Sequence, residues 1–176
     1  MNKLTQVLIK PLQESIYVKP FTMYYTQNVK QFRPAVYLGS IPDDDRKDIV
    51  DTNKYPAELG ITLELCAGIV DKDLTLEEIA AEEVLEECGY KIDPSILERV
   101  SSYRSGVGTT GSVQTSYYCE VTDDMKVGQG GGVDDEIIEV VEMSISDINK
   151  YIRQEHVLSP PSFLFNICWF LQNKLK

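Results

Sequence analysis

The 176-residue sequence predicts an α+β domain. Three observations carry that expectation. Residues 5–12 and 15–26 are rich in Val, Ile, Tyr and Thr and read as two strands. A helix beginning near Leu76 carries its own start and stop residues. A second strand-rich region and an apolar C-terminal helix follow it, so strands and helices segregate along the chain.

Taken in order, Pro11 and Pro20 place breaks or edges in the first two strands. Residues 31–38 continue the strand-like pattern, with Pro34 inside it. Residues 39–60 are polar and acidic, hold two prolines, and read as a surface loop of low order. Residues 61–66 alternate and predict a strand leading into the central helix. There Thr75 followed by Glu78 forms a capping box, and Gly89 is placed to end the helix. Asp93 and Pro94 start a short helical turn. Residues 99–104 and 112–121 predict strands around a turn carrying Gly106, Gly108 and Gly111. Residues 128–132, Gly-Gln-Gly-Gly-Gly, read as a flexible loop; a strand is predicted after it, over residues 136–145, which argues against a phosphate cradle. Ser146 is the expected cap of a short helix running to Arg153. The last helix, residues 162–174, gathers Phe163, Ile167, Phe170 and Leu171 on one side, with Trp169 as a packing residue. No internal repeat or boundary divides residues 1–176, so one domain is expected.

The charge balance narrows the function. With 28 acidic against 17 basic residues the net charge is −11, which opposes a phosphate-backbone binding surface. His156 is the single histidine, so neither a His-based zinc site nor a Ser-His triad is supported. Cys66, Cys88, Cys119 and Cys168 lack paired spacing and read as small buried residues of a reducing, cytoplasmic protein. No signal peptide or membrane span is predicted: the longest apolar cluster, residues 163–171, is interrupted by Asn166.

The most informative segment lies between Lys72 and Lys91, where seven acidic residues occur without a basic one. At 3.6 residues per turn, Leu76, Ile79, Ala80, Glu83, Glu86 and Glu87 share one face, which begins apolar and finishes as carboxylates. Glu83 repels Glu86 and Glu87 by about 0.2–0.5 kcal/mol per exposed pair. Each acid near the partly negative helix C-terminus loses a further ~0.3–1 kcal/mol. Burial without a partner costs more than either. A hard divalent cation, Mg²⁺ or Mn²⁺, offsets all three costs at once.

Gly68, thirteen intervening residues, and Glu82-Glu83-Val84-Leu85-Glu86-Glu87-Cys88-Gly89-Tyr90 together resemble the Nudix box, G-x5-E-x7-R-E-U-x-E-E-x-G-U, where U is a bulky apolar residue. Leu74 stands where the pattern has its first Glu, and Glu82 replaces its Arg. That Arg helps orient the metal-binding carboxylates in the family, so Glu82 loosens their support and adds charge beside Glu83 and Glu86. The resemblance extends to Val29-Lys30-Gln31-Phe32-Arg33-Pro34, to Glu64-Leu65-Cys66-Ala67-Gly68, to residues 105–112 and to residues 136–141. In these the chain is similar to nucleoside-diphosphate-sugar pyrophosphatases, the animal UDP-sugar branch above all. That branch carries a β-hairpin before the Gln-Phe-Arg-Pro segment, whereas here Asn28 runs directly into Val29.

The resemblance implies a Nudix fold, a mixed sheet between helices, with the sheet incomplete here. It implies Mg²⁺-dependent cleavage of UDP-glucose to UMP and glucose 1-phosphate, Mn²⁺ being an alternative ion and ADP-ribose an alternative substrate. Glu83 and Glu87 are then the core metal ligands, with Glu86, the Ala67 carbonyl and Glu136 completing the shell. The general base falls on Asp134, with Asp135 or Glu136 as fallback. Arg33, Glu64 and, on position alone, Arg104 are the substrate contacts. A homodimer acting on a small nucleotide sugar, with no nucleic-acid or membrane partner, is expected. Leu74, Glu82 and the missing hairpin leave a second reading: a Nudix-fold protein of weak or absent catalysis, kept for binding or dimerisation.

Overall fold

The computed structural model describes residues 7–11, 21–25, 32–46, 48–133 and 138–175. It divides into two compact units, residues 1–63 and 64–176, and the helices and antiparallel strands together make an α+β protein.

In the first unit, strand β1 (Val7–Pro11) pairs antiparallel with β2 (Phe21–Tyr25), Val7 opposite Tyr25 and Pro11 opposite Phe21. Helix α1 (Pro34–Gly39) follows, where the sequence suggested a continuing strand. The physical reason is Pro34: its fixed φ and missing N–H suit the first helical position, with extended Arg33 before it. Residues 39–60 are also more ordered than their composition suggested. They hold 3-10 turns at Asp43–Asp45 and Ala57–Gly60, and they contribute Ile41, Val50 and Ala57 to a core with Phe32 and Tyr37. Tyr37 is fully buried, stacks 5.3 Å from Phe32, and donates its hydroxyl to the Tyr55 carbonyl at 2.7 Å. Three apolar side chains in a polar segment therefore decide its structure.

The second unit is built around helix α2 (Leu76–Cys88), which matches its expected limits. The hairpin of β3 (Glu98–Ser105) and β4 (Ser112–Tyr118) also forms as expected, with an irregularity between Arg99 and Ser101. Asp93 caps the expected turn at Pro94–Ile96. Helix α3 (Ile145–Tyr151) is capped by Ser144 rather than Ser146, because the Ser144 hydroxyl reaches the Asp147 N–H at 3.1 Å. Helix α4 (Pro161–Asn173) buries Phe163 and Ile167. Its aromatic side chains meet the hairpin, Phe165 on Tyr103 at 5.3 Å and Trp169 on Tyr118 at 5.7 Å, so Trp169 is a packing residue. Cys168, expected inside, is exposed on this helix.

Among the described residues, two expected strands do not form. In residues 61–66 only Ile61 makes a bridge, to Phe32, and residues 138–144 have no ladder among the described residues. Alternation prepares a strand, but a paired backbone makes one. The described strands form two separate antiparallel pairs. No helix of the described residues is long and apolar enough to cross a membrane.

Candidate active site

Helix α2 is fixed at its start by the reciprocal capping box. The Thr75 hydroxyl accepts from the Glu78 N–H at 3.2 Å, and the Glu78 carboxylate accepts from the Thr75 N–H at 2.8 Å. These Thr75 hydrogen bonds, side-chain first, hold the Glu78 carboxyl below the usual range. Glu77 is likewise lowered, chiefly by the Tyr117 hydroxyl that donates to it at 2.7 Å. Burial, then this bond, pushes the Tyr117 phenol up to about 12.

The other end closes differently. Gly89 takes the left-handed conformation, φ 78°, and donates to the Leu85 carbonyl at 3.0 Å. The glycine run then packs on the helix end: Gly131 N–H donates to the Glu87 carbonyl at 2.9 Å and Gly132 N–H to the Glu86 carbonyl at 3.1 Å. Val127 and Gly128 N–H both donate to the Gly89 carbonyl. Side chains at Gly89 or Gly130 would collide with the facing backbone, and Gly130, at φ 68°, is also left-handed. Residues 128–132 are therefore a backbone cap on α2, not the loose loop their composition suggested. The last turn of α2 lacks a basic residue, and the glycine run that completes it stands some forty positions further along the chain.

The predicted stripe is realised as a half-buried face. Ile79 is buried, and Leu76, Ala80, Glu83, Glu86 and Glu87 are each partly covered. Against this face lies the segment before the helix. The Glu83 carboxylate fills the space above Gly68 that any side chain there would need. The Ala67 N–H donates to the Glu87 carboxylate at 3.1 Å. Cys66 and Cys88, the next residues along on each side, bring their thiols together; contact with Cys88, then burial, pushes the Cys66 thiol up. Ala67, Gly68, Glu83 and Glu87 are thus gathered into one place.

The other predicted residues are distributed more widely. Glu64 is half-buried at the start of this unit. Arg104 on β3 donates to the Gly111 carbonyl at 2.9 Å and so braces the hairpin turn. Arg33 belongs to the first unit, where its N–H donates to the Gly60 carbonyl at 2.7 Å and starts α1. Asp134, Asp135 and Glu136 lie outside the described residues. The residues on either side are placed: Ile138 N–H donates to the Gly131 carbonyl at 3.1 Å. One contact was missed altogether in the sequence, an ion pair at 2.6 Å between Lys72 and Glu82. Its signal was a cation in the box loop opposite the inverted charge at Glu82.

The donor chemistry fits a hard divalent cation: carboxylates, at a glycine that leaves room for one of them. Among the described residues, however, no three His, Cys, Asp or Glu side chains converge tightly enough to hold an ion by themselves.

No family model matches the chain. It is 35% identical to the uridine diphosphate glucose pyrophosphatase of Bos taurus over 212 residues, covering 97% of this chain and 95% of that protein. The Mus musculus protein of the same name is 34% identical over 97% of this chain and 95% of its own length. A GDP-mannose pyrophosphatase of Cronobacter sakazakii is 30% identical, covering 72% of this chain and 56% of that protein. The chain belongs to the Nudix hydrolase family. An alignment of 212 residues against a chain of 176 leaves at least 36 positions without a counterpart here.

Proposed function

We propose that this chain hydrolyses the diphosphate of a nucleoside diphosphate sugar with a divalent cation, UDP-glucose giving UMP and glucose 1-phosphate. The observation that carries the reading is the closure of Ala67 and Gly68 onto Glu83 and Glu87. The Ala67 N–H gives Glu87, in the last turn of α2, a donor where that turn has no basic residue, and Gly68 leaves the room that the Glu83 carboxylate occupies. The relatives named for UDP-glucose and GDP-mannose support the substrate class. Glu83, Glu86, Glu87, the Ala67 carbonyl and Glu136 would hold Mg²⁺, or Mn²⁺ in its place. The ion supplies charge neutralisation at the diphosphate and lowers the pKa of water.

The chain's own residues then bind, orient and accept a proton. Asp134 is the proposed general base, with Asp135 or Glu136 as substitutes. The backbone at both flanks of residues 134–137 supports that role, because Gly132 is bonded to the Glu86 carbonyl and Ile138 to Gly131. Arg33, Glu64 and Arg104 are the proposed contacts to substrate, and ADP-ribose is a second substrate to try. The proposed protein is one Nudix domain over residues 1–176, its sheet set between helices, acting as a cytoplasmic homodimer. Its acidity supports the exclusion of nucleic-acid partners.

A second reading, a Nudix protein that binds but barely turns over, draws on Leu74, Glu82 and the length by which the relatives exceed this chain. Incubation with UDP-glucose and Mg²⁺ separates the two. Release of UMP supports the hydrolase, while none from concentrated, folded protein with UDP-glucose, GDP-mannose or ADP-ribose rejects it.

A further inference from the structure

We propose that Lys72 is a positioning residue that holds the Glu82 carboxylate away from Glu83 and Glu86, so that Glu82 does not compete for the cation. The inference rests on the metal-dependent reading above and adds a residue outside the box pattern. Glu82 precedes Glu83 and lies one helical turn from Glu86, a spacing that makes i,i+4 side chains neighbours. Glu82 and Glu83 therefore each lie within one turn of Glu86, at i,i+4 and i,i+3, and Glu83 is the proposed ligand of the two. The ammonium of Lys72 meets the Glu82 carboxylate at 2.6 Å, and both side chains are about half exposed, 45% and 42%. The charges of Glu86 and Asp71 act on the same ammonium.

The loop gives the pair its purpose. Ile69 and Val70 are strongly exposed and Leu74 is partly so, so apolar burial does not hold residues 69–74 against α2. An exposed ion pair adds little to global stability. Its effect is local and directional: it fixes which way one carboxylate points. In the related box the same position carries Arg, a cation on the helix. Here the charge is inverted, and the cation stands across from it on the loop.

The test is Mn²⁺ titration of the metal-free protein by calorimetry, with steady-state UDP-glucose hydrolysis alongside, on wild type, Lys72→Met, Lys72→Arg, Glu82→Gln and the Lys72→Met/Glu82→Gln double variant. Released from Lys72, Glu82 should join the ion. Lys72→Met should then bind Mn²⁺ more tightly yet turn over more slowly, each by about tenfold, with KM little changed. A merely structural role would weaken binding instead. Lys72→Arg should match wild type, and Glu82→Gln in the Lys72→Met background should restore both quantities. Unchanged or weaker Mn²⁺ binding by Lys72→Met, or a double variant as slow as Lys72→Met, overturns the inference while the hydrolase reading stands. No Mn²⁺ uptake by wild type overturns both.

Discussion

The two ends of helix α2 carry the same kind of side chain under opposite conditions. At the N-terminus, Glu77 and Glu78 face the positive end of the dipole, and each accepts a hydrogen bond, from Tyr117 and from Thr75. At the C-terminus, Glu86 and Glu87 face the negative end, with no basic residue in the last turn. The backbone is completed at both ends, by the capping box at one and by Gly89, Gly131 and Gly132 at the other. Helix formation therefore accounts for the first pair of acids and not for the second. Acids that local structure does not explain are the ones to assign to function.

The largest expected effects test that division directly. Glu83→Gln should lower turnover of UDP-glucose by about 100-fold or more, beyond what outer-sphere changes usually cost. Glu78→Gln, at the other end, should leave turnover unchanged. Equal losses at both sites would remove the distinction. Next comes Gly130→Ala, which places a methyl group against the Glu87 carbonyl at a left-handed φ. It should destabilise the protein by about 1–3 kcal/mol in urea unfolding. Gly108→Ala is the matched control, with open space around it, and should stay within about 0.5 kcal/mol. If both glycine variants unfold alike, the glycine run is not the cap of α2.

The same contrast explains how much was legible in the sequence. Helix α2 was readable to the residue because its start, stop and stripe are local: Thr75, Glu78 and Gly89 act on neighbours within one turn. The β3–β4 hairpin was readable for the same reason. Residues 61–66 alternate and residues 138–144 hold Ile138, Val140 and Val141, but both lack a ladder among the described residues, and no local rule supplies a partner. Helix α1 was misread because Pro34 was placed inside a continuing strand instead of at a helix start. Around the candidate site, the shared face of Glu83 and Glu87 could be read from periodicity. Lys72 could not, because its contact with Glu82 spans ten residues and depends on how the loop folds back. Nor could the cap at residues 128–132, which reaches Glu86 and Glu87 from more than forty positions away.

Smaller effects sharpen the comparison. Thr75→Ala should cost about 1 kcal/mol of stability, as loss of an N-cap does, without changing Mn²⁺ affinity. Glu86→Gln should do the reverse in the metal-free protein, gaining about 0.3–1 kcal/mol by relieving the C-terminal dipole and its like-charge neighbours. Its Mn²⁺ affinity should fall. A stabilised protein that binds metal poorly is the signature of an acid retained for function. If Glu86→Gln instead loses stability, that carboxylate is structural.

The smallest effect is the pH dependence that the N-terminal end contributes. Glu77 and Glu78 are lowered in the folded state from 4.5, so folding favours their ionised forms. The stability they add is fully present above that value and is lost as pH falls through their folded pKa values. Tyr117 moves the other way, from 10.0 to about 12, so its neutral form is favoured by folding. Its contribution is complete below 10.0 and is lost as pH rises towards about 12, because the unfolded phenol ionises first. One hydrogen bond, Tyr117 to Glu77, thus links an acid window to an alkaline one. Tyr117→Phe should reduce both the alkaline and the acid dependence, whereas Glu78→Gln should reduce only the acid one. Urea midpoints measured across both ranges decide it: Tyr37 and Tyr118 are also raised and leave some alkaline slope, so a slope in Tyr117→Phe as steep as in wild type would show that this bond does not couple the two.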